Sequence, residues 1–488
     1  MTTFGFQPIG FIPFTIIGFT GLVWVLDGCD KKKLSFLCGY SFGFGYFLIS
    51  LHWMIYPFLV DVNTFYWMIP FALIFLPMFL SIFIGIATFL SGIIASKGSE
   101  RILSLAVCWV MMEWLRGNIL TGFPWNLAGY IWSDIVTVSQ LASIFGIYGL
   151  SLITVIVCSM PAQLAQKSKN RWLLPIIIVA SFILVHIWGV NRIDIDINRK
   201  NAQTIRLVQP NIPQKEKWQK DLAINNLIKH VDLSTKIGFE KIKAVIWPET
   251  ASTFLLGTDK FVDQLISNAI PPNGNLITGV PRFISKNNET NLYNSLVVYN
   301  KEMSLIEFYD KHHLVPFGEF IPFRSFLANI GLSKITAGSL DYSPGNGPKT
   351  IKVDGLPSFS PLICFEVIFP SKIVNKFNRP EWLLSISNDG WFGPNAGPRQ
   401  HFDMARIRSI EEGIPLIRVS NMGISASIDP FGRIIEIINI GNTGYLDVLI
   451  PKSLSKTVYS RYGDLVLFTI CLIILLFVLR GRFFLFKG

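Results

Sequence analysis

Ser360-Pro-Leu-Ile-Cys-Phe-Glu366 carries the one cysteine in the polar part of this chain, and the other segments take their meaning from it. Ser358 to Ile363 is a short apolar run containing Pro361, which predicts a buried strand that ends where Cys364 begins a turn. A thiol becomes a useful nucleophile when a neighbouring base or cation raises its thiolate character. Two other stretches share this setting. Ala244-Val-Ile-Trp-Pro-Glu249-Thr reads as a strand ending in a carboxylate, and Phe308-Tyr-Asp-Lys311-His-His-Leu-Val-Pro-Phe-Gly-Glu319 as a strand running into a lysine and a turn.

The chain has 488 residues, of which 51% are hydrophobic, 14% aromatic and 15% charged, with a mean hydropathy of +0.45. Such a composition excludes an ordinary soluble domain. The hydrophobicity is concentrated before residue 190 and again near the C-terminus, so the expected architecture is a polytopic α-helical membrane bundle carrying one large polar insert. The division runs 1–190 for the bundle, about six spans, 191–462 for the insert, and 463–488 for a last helix and a short cytoplasmic tail. A net charge of +11 could suggest nucleic acid, but no basic run exceeds Lys31-Lys32-Lys33. The excess sits beside apolar segments, as topology signals and anionic-lipid contacts do. Cys29, Cys38, Cys108, Cys158 and Cys471 all lie in or next to apolar segments, which leaves Cys364 without a disulfide partner.

Apolar segments long enough to span fall near 8–26, 35–51, 69–92, 102–118, 137–164, 172–190 and 463–480. Lys31 to Lys33, Lys97 and Arg101, Lys167, Lys169 and Arg171, and Arg480, Arg482 and Lys487 then share one side. By the positive-inside rule that side is cytoplasmic, which places the insert and the N-terminus outside. The opening residues have no basic n-region and no cleavage site, so a first membrane helix missing upstream is expected. Glu113 and Arg116 near Gly122-Phe-Pro-Trp125 read as an interfacial pair, or alternatively as a lining for a lipid headgroup. Gly43 and Gly45 read as close helix packing, and His52 and His186 as packing histidines.

The insert alternates short β-rich runs with amphipathic ones. Strands are predicted at Thr204–Gln209, Ala244–Trp247, Leu276–Gly279, Ser295–Tyr299, Leu305–Tyr309, Pro361–Cys364, Leu383–Ser387, Leu416–Ser420 and Ser425–Ile428. Helices are predicted at Lys215–Ile237, Phe261–Ala269 and Gln400–Glu412, the last closed by Gly413. Asp429-Pro-Phe-Gly432 predicts a tight turn. An α/β sandwich with catalytic groups on the loops at strand ends follows. There Glu249 could accept a thiol proton, Cys364 attack a carbonyl carbon, and the Lys311 ammonium stabilise the oxyanion. A Cys/His pair using His312, His313 or His401 competes. Adjacent His312 and His313 on an extended segment point to opposite faces, which argues against a metal site built from both.

Trp247-Pro-Glu249, Lys311 to Glu319 and Ile363-Cys364-Phe-Glu366 are followed by Ser387-Asn-Asp-Gly-Trp-Phe-Gly393 and Gln400-His-Phe-Asp-Met-Ala-Arg406. Together with Thr121-Gly-Phe-Pro-Trp125 they resemble the nitrilase superfamily and, more closely, its membrane-embedded branch, the apolipoprotein N-acyltransferases of bacterial inner membranes. The resemblance implies a nitrilase-like αββα sandwich on the periplasmic face, with Glu249 as proton acceptor, Lys311 as oxyanion stabiliser and Cys364 as nucleophile. It implies a ping-pong reaction in which Cys364 takes an acyl chain from a phospholipid, typically phosphatidylethanolamine, and passes it to the α-amine of an apolipoprotein's diacylglyceryl-cysteine. Glu319 and Glu366 match supporting carboxylates, and Trp218, Asn294 and Trp391 match loop or pocket contacts. No cofactor or metal is implied, and a monomer is expected.

Two departures stand out: seven spans where the family usually has eight, and Phe365 where a tyrosine commonly follows the nucleophile. Phe320 to Leu340 is apolar and sparsely charged, and is expected to form a lid that dips into the bilayer, with an ordinary buried helix as the alternative. A membrane-tethered amidase is the enzymatic alternative, and a membrane scaffold or transporter with a binding domain the non-enzymatic one.

Overall fold

The computed structural model describes residues 1–95, 97–165, 171–195, 203–286, 289–322 and 340–485. Lys167, Lys169, Lys487 and most of the expected lid, 323–339, lie outside the described residues. Eleven strands carry the polar insert: β1 Thr204–Gln209, β2 Ala244–Ile246, β3 Asn275–Lys286, β4 Glu289–Tyr299, β5 Leu305–Asp310, β6 Phe359–Ile363, β7 Trp382–Ser387, β8 Leu416–Ser420, β9 Ser425–Ile428, β10 Ile434–Ile438 and β11 Gly444–Leu449. They form one sheet in the order β11-β1-β2-β3-β4-β5 and a second in the order β10-β9-β8-β7-β6. Neighbours β1, β2 and β3 are parallel, as are β6, β7 and β8, and the outer pairings are antiparallel.

The two sheets face each other over one apolar interior. Ile205, Leu207, Ile246, Ile277 and Leu296 come from the first sheet, and Phe359, Ile363, Leu384, Ile386 and Val419 from the second. Central strands covered on both faces read as unbroken apolar runs, as Ala244-Val-Ile does. Helices Ala223–Ser234 and Lys260–Ser267 cover the outer face of the first sheet, packing Leu227, Val231, Val262 and Ile266 on Val208, Val245 and Leu276. The helix Ala396–Glu412 covers the second sheet, and Gly413 closes it in the left-handed region (φ +66°), as expected. The Asp429 to Gly432 turn is also present, with the Gly432 N–H donating to the Asp429 carbonyl.

The strand expectations hold with shifts of a residue or more at the ends, but β10 and β11 are additional. The predicted helix Lys215–Ile237 is two pieces, Gln214–Lys217 and Ala223–Ser234. Lys217, the last residue of the first piece, is buried.

All seven apolar segments are helical. Three of these helical runs, Val62–Ile94, Ala142–Ala165 and Leu173–Ile193, are long and apolar enough to cross a membrane; Lys32–Ser50 with His52–Leu59, bent by 61°, makes a fourth if counted as one span. Ile12–Asp27 and Leu465–Arg480 are shorter apolar helices, and Gly98–Asn118 carries Glu100, Arg101, Glu113 and Arg116. Within the fifth segment Gly146 (φ +67°) interrupts the helix, because the Tyr459 ring occupies the place of a side chain there. Gly43 packs against Ser81 and Ile84, whereas Gly45 faces open space, so only the first serves close packing.

Glu113 and Arg116 do not form the expected pair. The Glu113 carboxylate accepts from Trp109 Nε1 and the Ala128 N–H, each at 2.9 Å, while Arg116 Nη1 donates to the Phe123 and Trp125 carbonyls at 2.8 Å. Both therefore pin the Thr121-to-Ala128 loop. That loop packs against the polar domain, and one apolar core runs from the bundle (Trp109, Ile131, Ile147) through Phe402, Met404 and Ile407 to Leu383 and Leu416 of the second sheet.

Candidate active site

Cys364 follows β6 directly and opens a short 3-10 turn, Cys364–Ile368. Its backbone lies in the left-handed region (φ +54°), uncommon for a residue with a side chain and a mark of a strained turn. The side chain is buried. Burial pushes the thiol well above its ordinary range and Glu249 adds to this, while the Lys311 ammonium pulls the other way. Such a thiol holds its proton, and its use as a nucleophile would need a neighbouring base.

Glu249 lies just beyond β2, and Lys311 directly follows β5. The Glu249 Oε1 is 3.8 Å from Lys311 Nζ and accepts from Asn294 Nδ2 at 2.8 Å, while its Oε2 accepts from the Asn388 N–H at 2.9 Å. Lys311 is 1% exposed and donates to Glu319 Oε1 at 2.9 Å. Burial alone would depress this ammonium, but Glu319, Glu249 and Cys364 together hold it above the ordinary lysine range. It is a permanent cation. The Asn294 amide donates both to Glu249 Oε1 and to Glu319 Oε1 (2.9 Å), bridging two carboxylates that would otherwise repel. Glu319 Oε2 accepts from the Val315 N–H at 2.8 Å, which closes the loop that Lys311 begins.

Glu366 faces away from this cluster. Its Oε2 accepts from the Ile363 N–H at 2.8 Å, and its Oε1 from the Tyr309 hydroxyl and the His312 N–H at 2.8 Å and the His313 N–H at 3.2 Å. One carboxylate thus ties the turn of Cys364 to the strand end of Lys311. Burial opposes its charge, but His312 and these donors bring the carboxyl below its ordinary range. His401 also lies close to Cys364, yet its Nε2 donates to the Cys364 carbonyl at 3.2 Å. Burial and Arg418 lower this imidazole below its ordinary range, against the pull of Asp389, and Arg418 also pairs with Asp389 at 2.8 Å. His312 is engaged by Glu366, and His313 Nε2 donates to the Thr121 carbonyl at 2.8 Å.

Known proteins match this arrangement along its length. Residues 1–160 match the family model described as the apolipoprotein N-acyltransferase N-terminal domain, and residues 204–458 match that of the carbon-nitrogen hydrolases. An apolipoprotein N-acyltransferase of Rhodopseudomonas palustris is 35% identical, covering 99% of this chain and 94% of that protein. The chain belongs to the apolipoprotein N-acyltransferases. Members from Bradyrhizobium diazoefficiens (36%, covering 99% of this chain and 93% of that protein) and Rickettsia prowazekii (34%, 98% and 96%) are similarly related. An apolipoprotein N-acyltransferase is a multi-pass membrane protein, with a nitrilase-like α/β sandwich joined to apolar helices.

Of the site residues expected in this N-acyltransferase, the structure brings Glu249, Lys311, Glu319 and Asn294 into one hydrogen-bonded cluster that acts on Cys364 electrostatically. Trp218 is 40% exposed at the end of Gln214–Lys217, and Trp391 is half-buried in the turn Asp389–Phe392; neither hydrogen-bonds to the cluster. Reading the sequence missed three participants. Asn388 holds Glu249 Oε2, Gln214 Oε1 accepts from Asn388 Nδ2 at 2.7 Å, and buried Lys217 donates to the Glu249 carbonyl at 3.0 Å. Asn388 lay inside a quoted motif and could have been singled out. Gln214 and Lys217 carried no such signal.

Proposed function

We propose a route by which this chain carries out the N-acylation of apolipoproteins in lipoprotein maturation, with Glu249, Lys311 and Cys364 as its catalytic residues. Glu249 takes the Cys364 proton as sulfur attacks the ester carbonyl of a phospholipid, phosphatidylethanolamine being the expected donor. Charge develops on the carbonyl oxygen beside the Lys311 ammonium. The C–O bond breaks, the lysophospholipid leaves with the proton returned from Glu249, and a thioester remains. The α-amine of a diacylglyceryl-cysteine then attacks this thioester, gives a proton to Glu249 and releases the Cys364 sulfur, which takes that proton back.

The observation that carries this reading is the convergence of Glu249 and Glu319 on one buried, permanently charged Lys311 beside a strained, protonated Cys364. A neutral thiol with an adjacent carboxylate suits proton removal during attack, and a lysine fixed by two carboxylates suits electrostatics rather than proton shuttling. His401, occupied by the Cys364 carbonyl, is poorly placed to be the base. We place the domain on the periplasmic face of the inner membrane, acting as a monomer. In support, Lys31 to Lys33, Lys97 and Arg101 lie at helix ends opposite those that pack on the sandwich, which do so through Trp53, Tyr56 and Trp125.

Intact mass of the purified protein after incubation with phosphatidylethanolamine tests the route. The expected result is a gain of one acyl chain, absent in Cys364→Ala and discharged by a diacylglyceryl-cysteine peptide. Discharge by water at the same rate would make the protein a hydrolase in practice, and an adduct that survives in Cys364→Ala would remove the nucleophile.

A further inference from the structure

The scheme above leaves one buried charge beside Glu249 without a task. Lys217 closes the short helix Gln214–Lys217, and its ammonium donates to the backbone carbonyl of Glu249 at 3.0 Å. That carbonyl sits in a tight place. Thr250 after it has φ +49°, and a Cβ built on Gly279 of β3 would meet Glu249 Cα and Thr250 N at 2.6 Å. A carbonyl turned inward by such a bend needs a donor, since an unpaired buried acceptor is costly. At its other end the same short helix supplies Gln214 to Asn388, whose N–H holds Glu249 Oε2. One four-residue helix thus grips Glu249 by its backbone and, through Asn388, by its carboxylate.

The charges argue the same way. Glu249 and Glu319 against Lys311 alone leave one negative charge in excess in a buried cluster, and a second ammonium balances it. The titratable groups that act on or border Lys217 are Glu249, Cys364 and His230, the last kept neutral by burial. Burial lowers the Lys217 ammonium to about 8, Glu249 and Cys364 pulling it back up, so it is charged through neutral pH.

We propose that Lys217 is a positioning residue of the acyl-transfer reaction: by clamping the Glu249 carbonyl, it aims the Glu249 carboxylate at the thiol. This rests on the reading of Glu249 as the base. The test follows Cys364 thioester formation from phosphatidylethanolamine by intact mass at pH 7 over a range of donor concentrations, in full-length parent, Lys217→Met, Lys217→Arg and Cys364→Ala, each checked by thermal melting.

For Lys217→Met the expected result is at least a tenfold slower rate at pH 7 with an unchanged half-saturating donor concentration. Lys217→Arg should return to within about threefold of the parent. A Lys217→Met protein with the parental rate overturns the inference while leaving the thioester reading intact, as does a slower one whose half-saturating donor concentration has risen to match. Should Lys217→Met fail to fold, Lys217→Arg decides: the parental rate supports the proposal, and a tenfold loss on a folded protein overturns it. A parent that forms no Cys364-dependent adduct removes both readings.

Discussion

Glu366 is the residue whose role departs most from its place in the sequence. It sits two positions from Cys364, yet its oxygens are consumed by the Ile363, His312 and His313 N–H groups and the Tyr309 hydroxyl. Glu366→Gln would set an amide N–H against one of these donors. The expected cost is roughly 2–3 kcal/mol of stability, with slowed acylation because the Cys364 and Lys311 turns separate; thermal melting and thioester formation measure the two. His230 supplies a pH dependence. Burial lowers its imidazole to about 4, and its Nδ1–H donates to the Asn226 carbonyl. Unfolded histidine takes a proton near 6.5, so the unfolded chain binds more protons between these values. The stability that neutral His230 secures is complete above pH 6.5 and is lost as pH falls towards 4, by on the order of 3 kcal/mol. The melting midpoint of His230→Gln should fall less steeply across that window than the parent's. Residues of this kind were hard to foresee: Cys364, Glu249 and Lys311 stand out because each follows a predicted strand, whereas Lys217 lies in a short polar run with no such setting.

At the scale of elements, β3 controls the site through a glycine. Gly279 lies against Glu249 and Thr250, so Gly279→Ala must move backbone rather than a flexible side chain. Thioester formation should drop at least 100-fold while the protein still folds; retained turnover would mean that the Glu249 turn has room to shift. Strand positions in the sandwich were largely legible because buried strands such as β2 and β7 consist mainly of apolar residues, and β8 does so around a single central Arg418. β10 and β11 were not. Residues Ile434 to Ile437 of β10 are not fully buried, and β11 pairs with β1 across more than 200 residues of chain, so its order comes from a distant partner rather than from local pattern. The broken helix after Lys217 was missed for the same reason, since Glu249 and Asn388 decide it.

For the whole molecule, the boundary between membrane bundle and sandwich is sharp in composition and absent in packing. Of the Ala396–Glu412 helix only Arg399 reaches solvent. One side lies on the second sheet; the other meets the bundle through Gln400 with Trp125, Asp403 with Ser133, Arg408 with Tyr130 and Glu411 with the Ile147 N–H. Residues 191–462 produced alone should therefore aggregate, which size-exclusion chromatography would reveal as a void-volume species; a stable monomer would show that the helix tolerates water. Composition marks the boundary because it reports on solvent and not on which surfaces meet.

The shared helix also constrains how such a protein can change over generations. Trp125 bonds Gln400 and stacks on His401, and His401 holds the Cys364 carbonyl, so three links join the membrane loop to the nucleophile. Chimeras that graft a relative's sandwich onto this bundle would be expected to work only when residues 121–133 travel with residues 396–412, making those two segments, rather than the domains, the units of inheritance.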